Sequence, residues 1–269
     1  MLTNTSRWLT YLVSAMYAVL GSILFFLPEQ IAPIFAWKVT GFMTMTIGGW
    51  CLGNAWLAFF AARRWKWMHI YPGLIYLWTF GMLEALIVIQ FRDKLQLGHP
   101  IAWLYLAALT INVLAALLGI VDWLRLRPPL SSTTNMTATI RYWIIGFILS
   151  VGFLGIYGLT AHIGDLATNG DIFPEVMSLF TLRAFGALYF SLVVGMIPLM
   201  FEKDAAPFLN YGFLAIALIV IITIAAVAYL RLFNFQQHPF GAAYFGAYLV
   251  AGVTSIYFLR KHGTGDSKA

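Results

Sequence analysis

Charge is what this 269-residue sequence has least of: 10% of its residues are Asp, Glu, Lys or Arg, and 61% are apolar. A soluble domain carries about 25% charged and about 45–50% apolar residues. Too little polar surface is present to cover a water-facing core, so a soluble globular fold is excluded. Cysteine is nearly absent too. The lone Cys51 rules out an intrachain disulfide and a thiolate-held metal cluster. Signatures of chemistry are missing: there is no Walker loop, HExxH, GxSxG or Rossmann fingerprint. His69, His99, His162, His238 and His262 all fall at the ends of apolar runs or in the tail. A bis-histidine haem inside the bilayer is therefore not expected. No Lys falls deep in a run either, which excludes a retinal Schiff base, and no cofactor is expected. The net charge of +6 has no basic patch interleaved with aromatics behind it, so nucleic acid is not expected as a partner.

What is present is a series of long apolar runs. Crossing a hydrocarbon core of about 30 Å takes about 20 helical residues. Seven runs free of charge, and an eighth interrupted only by Glu84, predict helices over 9–27, 38–61, 69–91, 100–123, 142–162, 180–201, 209–231 and 239–259. The runs do not alternate apolar with polar, so membrane-barrel strands are excluded. Helices remain, because each segment must satisfy its own backbone in lipid. The expected fold is all-α and polytopic, with eight transmembrane helices. Eleven of the sixteen Lys and Arg residues lie on the side that carries both termini. The positive-inside rule then puts both termini in the cytoplasm of a cell with the protein in its plasma (inner) membrane. Trp8, Trp65, Trp67, Trp123 and Trp143 fall at the predicted inner interface, and Trp37 and Trp103 at the outer, as an aromatic belt.

The sequence also repeats itself. Arg92, His99-Pro100 and Tyr105 fall on Arg231, His238-Pro239 and Tyr244 at one common spacing. Phe35, Lys38 and Gly41 fall on Phe180, Arg183 and Gly186 at a slightly different one. This divides the chain into a first four-helix repeat (1–127), a cytoplasmic linker (128–139) of Pro, Ser, Thr and Asn, a second four-helix repeat (140–262) and a C-terminal tail (263–269) expected to be disordered. An even number of helices per copy makes the two repeats parallel in the membrane. The stretch from Phe35 through Lys38 and Gly41, then Arg92, then Pro100-Ile101-Ala102-Trp103-Leu104-Tyr105, resembles uncharacterised bacterial multi-pass membrane proteins. The resemblance covers mostly the first repeat and implies no activity.

Two sets of residues are candidates for binding. Glu84 is the one acid inside a run, roughly 12 Å below the outer interface by helix rise, and Thr110 and Asn112 reach a similar depth. Such a group is either part of a proton or cation site or a carboxyl hydrogen-bonded to a neighbouring helix. The second set is the outer cations, Lys38 with Arg183, Arg92 with Arg231 and His99 with His238. They either converge on an anion or lipid headgroup, or anchor helix ends by snorkelling to phosphates. The 163–179 loop, with Asp165, Asn169, Asp171 and Glu175, reads as a solvated acidic loop rather than a calcium loop, because Ala167 and Val176 stand where oxygen ligands are needed.

Three functions follow as expectations. Few intramembrane polar residues and small-residue seams such as Gly49 and Gly53 predict a non-catalytic accessory or scaffold subunit, bound to a membrane partner or to copies of itself. The alternative is a transporter or binder of a small solute, anion or lipid in the groove between the repeats. A membrane enzyme acting through His99 and His238 has least support, since no positioned carboxylate accompanies them.

Overall fold

The computed structural model describes residues 1–128, 136–162, 173–239 and 241–262. Most of the linker, the Asp165–Asp171 part of the acidic loop and the C-terminal tail lie outside the described residues. The protein is all-α and polytopic. Among the described residues seven helices are long and apolar enough to cross a membrane: α1 (Asn4–Phe26), α3 (Gly41–Arg64), α4 (Trp67–Gln90), α5 (Pro100–Leu126), α6 (Ala138–Thr160), α7 (Leu179–Met196, continued as a 3-10 turn to Met200) and α8 (Ala206–Ala228). A further long helix, α9 (Gly241–His262), closes the described chain, and α2 (Pro28–Ile31) is a single turn after α1.

Local chemistry sets the helix ends, and it moves several of the sequence-derived bounds by a few residues. Thr3, Thr40, Thr137 and Ser178 each accept the backbone N–H three residues on, so α1, α3, α6 and α7 start beside a hydroxyl cap. Pro100 stands at the first position of α5, where its missing N–H costs nothing. Pro198 ends the α-helical part of α7. The turn between α3 and α4 is made by Trp65 in the left-handed region (φ 34°), held there by its Nε1 donating to Leu2 O at 3.2 Å.

Packing follows a simple pattern. α1 lies on α3 and α5, and α4 on α5; α6 lies on α7, and α8 on α9. Between these groups α3 packs on α8, α4 on α7, and α4 on α8. Backbones meet closely at two crossings. A Cβ at Gly48 would stand 2.6 Å from Phe25 N, and one at Gly158 2.6 Å from Gly186 Cα, so only glycine fits there. The α3/α4–α7/α8 interface is filled by apolar side chains. Leu218 covers Gly53, Leu214 lies on Gly73, and Trp50 meets Phe185 edge-on at 4.3 Å.

The tryptophan belt needs correcting. Trp8 and Trp103 are exposed, as an interfacial belt requires, but Trp37, Trp65 and Trp67 are buried. Trp37 stacks on Phe180 at 4.3 Å and donates from Nε1 to Thr181 Oγ1 at 3.0 Å, binding the α2–α3 connection to α7. A belt assignment from sequence position alone cannot distinguish a ring that faces lipid from one drawn inward by a stacking partner.

Candidate functional site: a buried polar seam and an apolar chamber

Of the three intramembrane candidates Glu84 and Asn112 are buried, each with its own partners. Glu84 is buried between α4 and α5, where Tyr105 Oη donates to its Oε1 at 2.7 Å; its Oε2 has no hydrogen-bond partner. Asn112, two turns further along α5, donates from Nδ2 to Tyr17 Oη at 3.0 Å and to Leu77 O at 3.2 Å. Asn112 thus ties α5 to α1 and α4, with its amide lying over Gly81. Thr110 is not in this group. It is exposed and returns its hydroxyl to Leu106 O, because two residues along a helix point about 200° apart. A second polar tie lies near the other end of the same seam. Asp122 Oδ2 accepts from Thr3 N at 3.1 Å, from Ser6 Oγ at 2.5 Å and from Thr3 Oγ1, fastening the start of α1 to the last turns of α5.

The outer cations occupy separate settings. Arg183 donates from Nη1 to Gln90 Oε1 at 2.7 Å and lies over the Phe91 ring at 5.7 Å, joining α7 to the end of α4. Arg92 and His99 are exposed on the α4–α5 connection, and Lys38 is exposed ahead of α3. Arg231 is exposed beside Tyr229, whose hydroxyl donates to Glu29 Oε1 at 2.6 Å. Burial, with the Glu29 and Glu175 carboxylates nearby, pushes that hydroxyl above its ordinary range. Glu175 in turn accepts from Thr40 Oγ1. His238 is half-buried, and its carbonyl accepts from Gly241 N at 3.1 Å. Lys38 lies two residues before the Thr40 cap of α3, whereas Arg183 lies five residues after the Ser178 cap of α7. The two are therefore not equivalent positions, and the spacing that paired them does not follow the helix starts.

The feature that sequence reasoning missed lies between α6, α7, α8 and α9. Two adjoining cavities of about 120 and 420 Å³ share Phe147, Val151, Leu192, Ala215, Ile219 and Ala251 as wall. The smaller reaches Phe173, Tyr189, Tyr244 and Tyr248; the larger reaches Trp143, Phe208, Thr254, Ser255 and Phe258. From Trp143 to Leu154 on α6 this chamber runs roughly 16 Å along the helix axis. Its tyrosine end is closed by a hydrogen bond of 2.8 Å between the Tyr189 and Tyr248 hydroxyls. The walls include glycines with room beside them. A Cβ at Gly146 would meet nothing within 4 Å, and one at Gly212 only Ser255 Oγ at 4.0 Å. Apolar residues that line a chamber and apolar residues that face lipid look alike in a sequence, so no signal in the chain marks this site.

No family model, curated protein or solved structure matches the chain.

Proposed function

We propose that the protein is a non-catalytic, multi-pass membrane protein that holds one apolar chain, the tail of a membrane lipid, in the chamber between α6 and α9. The larger cavity carries this reading. About 420 Å³ falls within the ~300–1,000 Å³ of small-molecule sites, and its walls are almost wholly apolar. A partner helix, about 10 Å across and about 30 Å long where it spans a bilayer, is far too large for it. Between the two proposed repeats Leu218 packs on Gly53, Leu214 on Gly73 and Trp50 on Phe185. That packing favours binding over passage of a solute.

The same proposal includes eight spans, with α9 as the last, in two parallel four-helix repeats, both termini cytoplasmic in the plasma (inner) membrane. The helix contacts support the duplication. α1 on α3 corresponds to α6 on α7, and α4 on α5 to α8 on α9. α3 on α8 is exchanged for α7 on α4 by a two-fold axis, and α4 on α8 maps onto itself. The caps agree, Thr3 with Thr137 and Thr40 with Ser178. Two contacts have no counterpart among the described residues: α3 packs on α4 without comparable α7–α8 packing, and α1 packs on α5 but leaves a gap where α6 would meet α9. The chamber fills that gap.

The test is to fill the chamber. Gly146→Leu with Gly212→Leu adds side chains where a Cβ has room, and replaces two glycines that each cost a helix about 1 kcal/mol relative to Ala. Native mass spectrometry after mild-detergent purification should find a lipid-sized adduct on the natural protein and none on the double variant, with Tm unchanged or higher. A natural protein without an adduct, or a variant that keeps it at the same occupancy, overturns the proposal.

A further inference from the structure

The two ends of the chamber differ, and the difference selects the kind of lipid. At the far end the Tyr189–Tyr248 hydroxyl pair and the Phe173 and Tyr244 rings line the cavity, with no charged side chain among the lining residues. At the other end Trp143 is 40% exposed, with Phe258 beside the cavity, and three cations belong to the segments at this end of the bundle. Lys261 stands one turn beyond Phe258 on α9, its Nζ donating to Tyr257 Oη at 3.3 Å and lying over that ring. Arg141 lies in the first turn of α6, its Nη2 donating to Glu202 O at 3.5 Å, and Lys203 follows in the α7–α8 connection; all three are exposed. The two acids of this connection are turned to the protein. Glu202 Oε1 accepts from Tyr71 Oη at 3.0 Å, and Asp204 Oδ1 accepts from Ala206 N at 2.9 Å. Arg141, Lys203 and Lys261 together outnumber these two carboxylates by one.

Building on the chain-binding reading, we propose that the occupant is an anionic glycerophospholipid of the leaflet at this end, its tail in the chamber and its phosphate headgroup against Arg141, Lys203 and Lys261. A single amphiphile satisfies both features of the site: an apolar pocket for its tail and exposed cations on the segments at one end. Exposed Lys and Arg at a membrane surface attract anionic lipid by charge and bind phosphate as donors.

The experiment uses full-length protein in vesicles of mixed phosphatidylglycerol and phosphatidylcholine, with retained lipid identified by native mass spectrometry. The natural protein should keep phosphatidylglycerol over phosphatidylcholine by about tenfold or more relative to the vesicle. Arg141→Gln with Lys203→Gln and Lys261→Gln should still carry a lipid, with the preference reduced to near parity. Because Arg141 also touches Glu202 O, Lys203→Gln with Lys261→Gln alone serves as a second variant and should lose part of the preference. No preference in the natural protein, or a full preference in the triple variant, overturns the headgroup assignment and leaves chain binding standing. A natural protein that retains neither lipid, or a Gly146→Leu, Gly212→Leu variant that retains both, overturns chain binding itself.

Discussion

Under the proposed repeat, the first four long helices and the last four differ at the seam where α1 meets α5 and α6 would meet α9. In the first group α5 is drawn onto α1 by two polar ties, Asn112 to Tyr17 and Asp122 to Thr3 and Ser6. Under the proposed repeat, Ala251 takes the place of Asn112, Val151 that of Tyr17, and Lys261 that of Asp122. An alanine and a valine have no hydrogen bond to exchange, and a cation has no attraction for the N-terminus of a helix. The seam that is tied in the first group is open in the second, and Val151 and Ala251 line the opening. On the proposed repeat and the proposed lipid site, three side-chain differences separate a tied half from an open one.

What both halves share should break first. Gly48→Leu in the first half and Gly186→Leu in the second each force a side chain against the backbone of the neighbouring helix. Each should cost about 3 kcal/mol or more and leave little folded protein, measured as monodisperse yield from the membrane. If either variant is tolerated with its Tm intact, the close crossing that defines the shared plan is wrong for that half.

The next effect is specific to the ties. Asn112→Ala with Asp122→Lys writes the second half's residues into the first, removing hydrogen bonds worth roughly 1–3 kcal/mol at each site. The protein should stay folded with a lower Tm, and the α1–α5 seam should loosen. Cys51 supplies the probe: it is the sole thiol, buried on α3 against Gly21 of α1. Its alkylation by a membrane-permeant maleimide should speed up in the double variant and stay slow in the natural protein. Unchanged alkylation would show that packing alone, not the polar ties, keeps the first half shut.

Much of this architecture was legible in the chain and some was not, for physical reasons that differ from residue to residue. Seven of the spans follow from length and the lack of charge, and their ends moved, because Thr40, Ser178 and Pro198 act locally while hydropathy averages over a window. Glu84 and Asn112 stood out as rare polar groups in apolar runs, and both are buried and hydrogen-bonded. Their partners did not stand out: Tyr17 and Tyr105 are ordinary aromatics in membrane helices, and only the crossing of α1, α4 and α5 brings their hydroxyls to those groups. Arg183 resembled an interfacial anchor until its distance to Gln90 was known. The chamber could not have been read, since it is a difference in how far two similar helices close.

The smallest effect tests whether the closed half takes part in binding at all. Glu84 is the one residue of the first half whose chemistry suggests more than packing, and its counterpart in the proposed repeat is the uncharged Thr223. Glu84→Gln keeps the shape and keeps an oxygen to accept from Tyr105, while the second polar atom, without a partner in the natural protein, stays without one. Stability should therefore change by less than about 1 kcal/mol, and lipid retention should not change. Tyr105→Phe removes the donor itself and should cost about 1–2 kcal/mol of stability, again without effect on retention. If Glu84→Gln empties the chamber while Tm holds, the two halves are coupled through α4, which packs on both α7 and α8, and the first half is more than a frame.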